Sequence, residues 1–267
     1  VDQANTDTGP ATHTGPATHT GPTAPTGPTT HSGPASDAGP AGALYPFLTN
    51  APVDVDAVFE QVRHSIETKA REIRELRVEV HRRDGDNLLR CAEAMAERFV
   101  RGGRLLAFGN GGSSTDAQEI ASQFLHPDAG GTALPALGLT SDIAVVTALC
   151  NDVGFDVIFA RQLGAFGGPN DIAVGISTSG NSANLLAGFE EAKGRGMLTV
   201  GIAGYEGGKM SESDSIDHLF VVPSPSVHRI QEAQTTLYHA LWELTQSALS
   251  RNRDGAAPQG TPASMRE

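Results

Sequence analysis

The sequence predicts an α/β protein: a five-stranded parallel sheet flanked by helices, preceded by two helices and a disordered tail. Three observations predict the sheet. Short runs such as 172–176 (Ile-Ala-Val-Gly-Ile) and 198–202 (Leu-Thr-Val-Gly-Ile) are apolar nearly throughout, which fits strands covered on both faces. Segments with apolar residues at helical spacing separate those runs. Two of the strands end in glycine- or serine-rich turns that lead straight into a helix, at the strand ends where open parallel sheets bind ligands.

Each element can be justified in order. Gly-Pro pairs recur every six residues from 9–10 to 39–40, separated mostly by Ala, Thr and His. The period is not the three of collagen, and nothing apolar is available to bury, so 1–44 is expected to be a disordered tail. His13, His19 and His31 belong to this tail and read as incidental to it. Folded sequence, 45–250, begins near Tyr45, and 251–267 is expected to be a second disordered tail. Val55, Val58, Phe59, Val62, Ile66, Ile73 and Leu76 predict a helix over 53–83, and Leu88 to Phe99 predict another over 86–101, stopped by Gly102-Gly103. Strands follow at 105–108, 137–139, 172–176, 198–202 and 218–222. Helices are expected at 114–125, 142–149, 153–166, 182–195 and 226–249.

Composition excludes several classes. No run of about 18 apolar residues exists, so no membrane span is expected. Two cysteines, Cys91 and Cys150, build neither a disulfide framework nor a four-thiolate zinc site. No basic stretch followed by an apolar core opens the chain, so a cytoplasmic location is expected. The net charge of -12 argues against nonspecific nucleic-acid binding but leaves room for an anionic small molecule in a local pocket.

Two loops carry chemistry. Gly109-Asn110-Gly111-Gly112-Ser113 ends the first strand and opens a helix, so its backbone N–H groups and the helix start can cradle an anion. It lacks the Gly-Lys-Ser/Thr of a nucleotide loop and the GxGxxG spacing of a dinucleotide fold. Ser177-Thr178-Ser179-Gly180-Asn181-Ser182 ends the third strand. One hydroxyl there would explain a helix cap, whereas four favour a phosphate.

GNGGSSTDA, LPALGLTSD, ALCNDVGFDVIFARQL, GISTSGNSANL, GYEGGKM and HRIQEAQTTLYHAL occur in order over roughly 55–250. This set resembles the phosphoheptose (sedoheptulose 7-phosphate) isomerases of the sugar isomerase (SIS) domain proteins. The resemblance implies a flavodoxin-like three-layer fold, a homotetramer, aldose–ketose isomerisation of a sugar phosphate through an enediol, and usually a bound zinc ion. It implies that Asn110, Gly111, Gly112, Ser113, Asp152, Ser177, Thr178, Ser179, Ser182 and Gln231 contact substrate, the serines holding phosphate. His239 on the last helix matches the family's catalytic His, and Gln231 its metal-binding Gln.

The helix after the first loop departs from the family. Its His position is Glu119 and its Glu position is Gln123. An amide has no useful pKa and cannot act as a general base. Glu119 is then the expected base beside His239, with Glu119, Gln123, Gln231 and His239 as the implied divalent-metal set. Two other readings remain open at this point. One is an isomerase of an eight-carbon ketose phosphate; the other is a non-catalytic binder like the DnaA initiator-associating protein. His126, His228, Arg229 and Lys209 are secondary candidates near the site, and Cys150 reads as core.

Overall fold

In the sheet, the chain winds outward in two directions from one seam, and that seam positions the site. The computed structural model describes residues 54–127 and 130–255, with side chains through Arg251. Nearly every described residue belongs to one compact unit, Asp56–Glu267. The expected tail at 1–44, and residues 256–267 of the one expected at 251–267, lie outside the described residues.

The elements are α1 (Val55–Val100), β1 (Leu105–Gly109), α2 (Gly112–Leu125), β2 (Ala136–Gly138) and α3 (Ile143–Asp152). Then come α4 (Ile158–Phe166), β3 (Ile172–Ile176), α5 (Ala183–Gly194), β4 (Leu198–Gly204), β5 (His218–Val222) and α6 (Val227–Gly255). All five strands are parallel, in the order β2-β1-β3-β4-β5. The chain winds from β1 outward to β2, then crosses back to β3 and winds the other way. The reversal lies between β1 and β3, the crevice where such sheets take ligands.

Strand periodicity builds two cores. Leu105, Ala107, Ile172, Val174, Ile176, Val200, Ile202, Phe220 and Val222 face α1, α2 and α6. Leu106, Phe108, Ala173 and Ala203 face α4 and α5, where Phe108 packs 5.2 Å from both Phe159 and Phe189. Gly175 is small by necessity, because a Cβ there would lie 2.3 Å from the Phe189 ring.

Four local expectations need correction. The two leading helices are one continuous helix, α1, through Gly85. A helical glycine costs about 1 kcal/mol, and one buried stripe (Val80, Leu88, Cys91, Ala92, Met95) running across it offsets that cost. Asn87 adds a pin, meeting His218 Nδ1 at 2.9 Å and donating to the Leu219 carbonyl at 3.3 Å. Asn151-Asp152 forms the last turn of α3 and does not follow it, Val153 being the C-cap. The segment before α4 is a separate 3-10 turn at Phe155–Val157, since Gly154 takes φ 109° and breaks the helix. At the far end, α6 runs to Gly255, past the expected boundary at 250.

Candidate active site

The β1 loop turns tightly. A Cβ on Gly109 would lie 2.4 Å from the Ser113 carbonyl, and Gly111 takes φ 56° at the N-cap of α2. Ser113 is buried in the first turn of α2. The β3 loop begins one strand away, with Gly109 and Ile176 in register. The two loops are tied directly: Asn110 Nδ2 donates to Asn184 Oδ1 and Asn184 Nδ2 donates to Asn110 Oδ1, each at 2.9 Å. Asn184 is 1% exposed.

The hydroxyl-rich loop is held from below and behind. Ser177 Oγ accepts the Gly180 N–H at 3.0 Å, which leaves its hydroxyl proton to donate. Buried Gln234 on α6 donates to the Ser177 carbonyl at 3.1 Å. Gly180, at φ 66°, sits so close to the next loop that a Cβ would lie 1.9 Å from the Gly207 carbonyl. Asn181 spends its amide on Ser179 O and the Lys209 N–H. Ser182 occupies the N-cap of α5 but makes no side-chain cap bond. Capping therefore does not account for the Ser182 hydroxyl.

Helices α2 and α6 pack side by side next to these loops. Glu119 Oε1 lies 3.5 Å from His239 Nε2, both side chains about half-exposed. His239 Nε2 and Gln123 Oε1 are nevertheless buried atoms with no hydrogen-bond partner. Gln231 reaches across to the β1 loop, where a Cβ on Gly112 would meet its Nε2 at 2.2 Å. Asp116, one turn before Glu119, is buried with an unpartnered Oδ2. Burial, then the Glu119 carboxylate, pushes Asp116 up to about 6. Burial also raises the Tyr238 phenol, and Asp116 and Glu119 add to that shift.

The structure thus gathers Asn110, Gly111, Gly112, Ser113, Gln231, Glu119, Gln123 and His239 on one side of the seam. Ser177, Thr178, Ser179 and Ser182 stand on the other. Asp152 is not tied to them: it is exposed and accepts from Asn151 at 2.8 Å. Arg229 is engaged with Glu72 and Glu232, which joins α6 to α1. His228 and Lys209 are exposed, His126 caps α2 through its backbone, and Cys150 packs against the core. Sequence reasoning missed Asn184, Gln234 and Asp116. Asn184 and Asp116 lie inside the GISTSGNSANL and GNGGSSTDA motifs, but nothing local distinguishes them from solvent-facing polar residues.

Among the described residues no group of three or more His, Cys, Asp or Glu comes together. One carboxylate and one imidazole meet, flanked by two neutral amides, which is short of the three or four charged or imidazole donors typical of a zinc site. The residues present do not fit a resident zinc ion.

A parallel sheet with hydroxyl-lined turns at its reversal point defines a phosphosugar-binding α/β domain. The SIS domain family profile matches residues 70–204. A phosphoheptose isomerase of Roseiflexus sp. is 40% identical over 195 residues, covering 72% of this chain and 93% of the relative. One of Solidesulfovibrio magneticus is 44% identical over 155 residues, covering 58% of this chain and 74% of the relative. The solved phosphoheptose isomerase of Neisseria gonorrhoeae superposes with TM-score 0.63 at 35% identity, over 70% of this chain and 99% of that one. That of Francisella tularensis gives 0.64 at 30% identity, over 71% and 98%. The chain belongs to the phosphoheptose isomerase family of SIS-domain proteins.

Proposed function

We propose that the chain is an aldose–ketose isomerase that converts sedoheptulose 7-phosphate to a heptose 7-phosphate. The carrying observation is the approach of Glu119 to His239 beside two loops of phosphate-binding type. The phosphate is held by the hydroxyls of Ser113, Ser177, Thr178, Ser179 and Ser182 and by the amides at the starts of α2 and α5. Asn110, Gly111, Gly112 and Gln231 take the sugar oxygens.

The chemistry is a proton relay. Glu119 removes a proton from C1 of the ketose. The C1–H electron pair becomes the C1–C2 double bond, and the carbonyl pair moves to O2, which takes a proton. The resulting enediol gives up its O1 proton, C1 becomes the aldehyde, and C2 receives a proton. His239 carries protons between the two oxygens, and no oxidant is consumed.

Sedoheptulose 7-phosphate in D₂O, followed by NMR, tests this reading. Aldose formation with deuterium at C2 supports it. No change with this sugar or with an eight-carbon ketose phosphate favours a binding protein.

Self-association, as a homotetramer, belongs to the same reading. Helix α3 has no fully buried side chain, with Ile143 70% exposed, and Phe59 and Ile66 on α1 are 67% and 61% exposed. Light scattering that returns a monomer defeats this part. The same reading puts the protein in the cytoplasm, where Cys91 and Cys150 stay as the free thiols they are here. No helix among the described residues is long and apolar enough to cross a membrane.

A further inference from the structure

We infer that this enzyme has no resident zinc ion: Glu119 and His239 move the protons directly, and Gln123 and Gln231 hold substrate oxygens where relatives hold metal. The inference rests on the isomerase reading above. Its ground is the chemistry of the donors, not their spacing. Two ligands of one tetrahedral zinc stand about 3.3–3.5 Å apart at metal–ligand distances near 2 Å, so the Glu119–His239 separation of 3.5 Å would admit an ion. The kinds of donor would not. The family resemblance implies two imidazoles, a carboxylate and an amide. Exchanging its His for Glu119 removes one nitrogen, and exchanging its Glu for Gln123 removes one charge. What converges is one carboxylate and one imidazole, with no third His, Cys, Asp or Glu among the described residues.

The amides are better matched to a sugar. Gln123 Oε1 is a buried acceptor and His239 Nε2 a buried ring nitrogen, both without hydrogen-bond partners. A sugar hydroxyl can donate to the first and hydrogen-bond to the second. Gln231 turns its amide nitrogen toward Gly112, where it can donate to a ligand oxygen lying over the loop. Glu119, half-exposed and 3.5 Å from His239, has its carboxylate oxygens available to a C–H proton.

The full-length protein tests this directly. It is stripped with a chelator, its zinc is counted by mass spectrometry, zinc chloride is titrated calorimetrically, and sedoheptulose 7-phosphate turnover is followed in parallel by NMR. We expect zinc far below one per chain, no binding tighter than about 10 µM, and turnover unchanged by chelation. The double variant Glu119→His, Gln123→Glu restores a third donor and is expected to take up roughly one tight zinc per chain. Stoichiometric zinc that survives stripping of the wild type overturns the inference. So does turnover lost on chelation and regained with zinc. A double variant that stays zinc-free overturns the assignment to these two positions. If no ketose phosphate is turned over, the isomerase reading fails, and the zinc counts still decide this inference.

Discussion

Asn110 and Asn184 face each other across the sheet's reversal point and exchange two amide hydrogen bonds, each of 2.9 Å. One lies in the loop after β1 and the other in the first turn of α5, so the pair fixes the spacing of the two loops proposed to hold phosphate and sugar. A buried amide whose partner is removed costs about 1–3 kcal/mol. Asn184→Ala is expected to lower stability by about that amount and to raise KM, because both loops lose their spacer. The double variant with Asn110→Ala should cost less than the sum of the singles, and strict additivity in chemical denaturation defeats the coupling.

Glu119→Gln keeps the size of the side chain and removes the base. Turnover is expected to fall by about 10²–10⁴, with KM changed far less. Glu119 is half-exposed, so the melting temperature should stay put. Unchanged kcat removes Glu119 from the chemistry.

Asp116 gives a pH signature in stability. Burial pushes its carboxyl up to about 6, so the folded state binds the proton more tightly than the unfolded chain. Stability from this group is complete below the ordinary carboxylate range and is lost as pH rises through 6. The loss is on the order of 2–3 kcal/mol. Asp116→Asn is expected to flatten the stability profile between about pH 4 and 7 and to raise the melting temperature at pH 8. An Asn variant that melts lower than wild type at pH 8 contradicts this account.

Two glycines should behave differently. Gly180→Ala sets a Cβ 1.9 Å from a backbone carbonyl at positive φ, so loss of stability of more than about 1–3 kcal/mol is expected, along with weaker phosphate binding. Gly112→Ala meets only the far end of Gln231, which can swing away. That variant should fold normally and lose about 10–100-fold in kcat/KM. Equal melting losses for the two would show that Gln231 does not lie over the loop.

Much of the cleft was legible from residue order. Both loops, the hydroxyl run at 177–182, His239, Gln231 and the departures at 119 and 123 stand in the sequence, because glycine turns and helix starts are local features of a few residues. The break drawn near Gly85 was wrong for a physical reason. A single glycine signals a helix end only when nothing packs on both sides of it, and the buried stripe of α1 continues through it. The family resemblance implies Asp152 as a sugar contact, and in the fold it ends an exposed helix and accepts from Asn151.

The sequence by itself determined the strands, the helices that cover them, the two anion-cradling turns and the identity of every donor at the catalytic helix. These follow from periodicity and turn chemistry within a dozen or so residues. Only the tertiary structure decided the order β2-β1-β3-β4-β5, the mutual grip of Asn110 and Asn184, and the meeting of Glu119 with His239. It also decided which polar atoms are left buried without partners. Each of those joins segments far apart in the chain, and a contact of that kind is set by how whole layers pack on the sheet, which no local stretch of residues encodes.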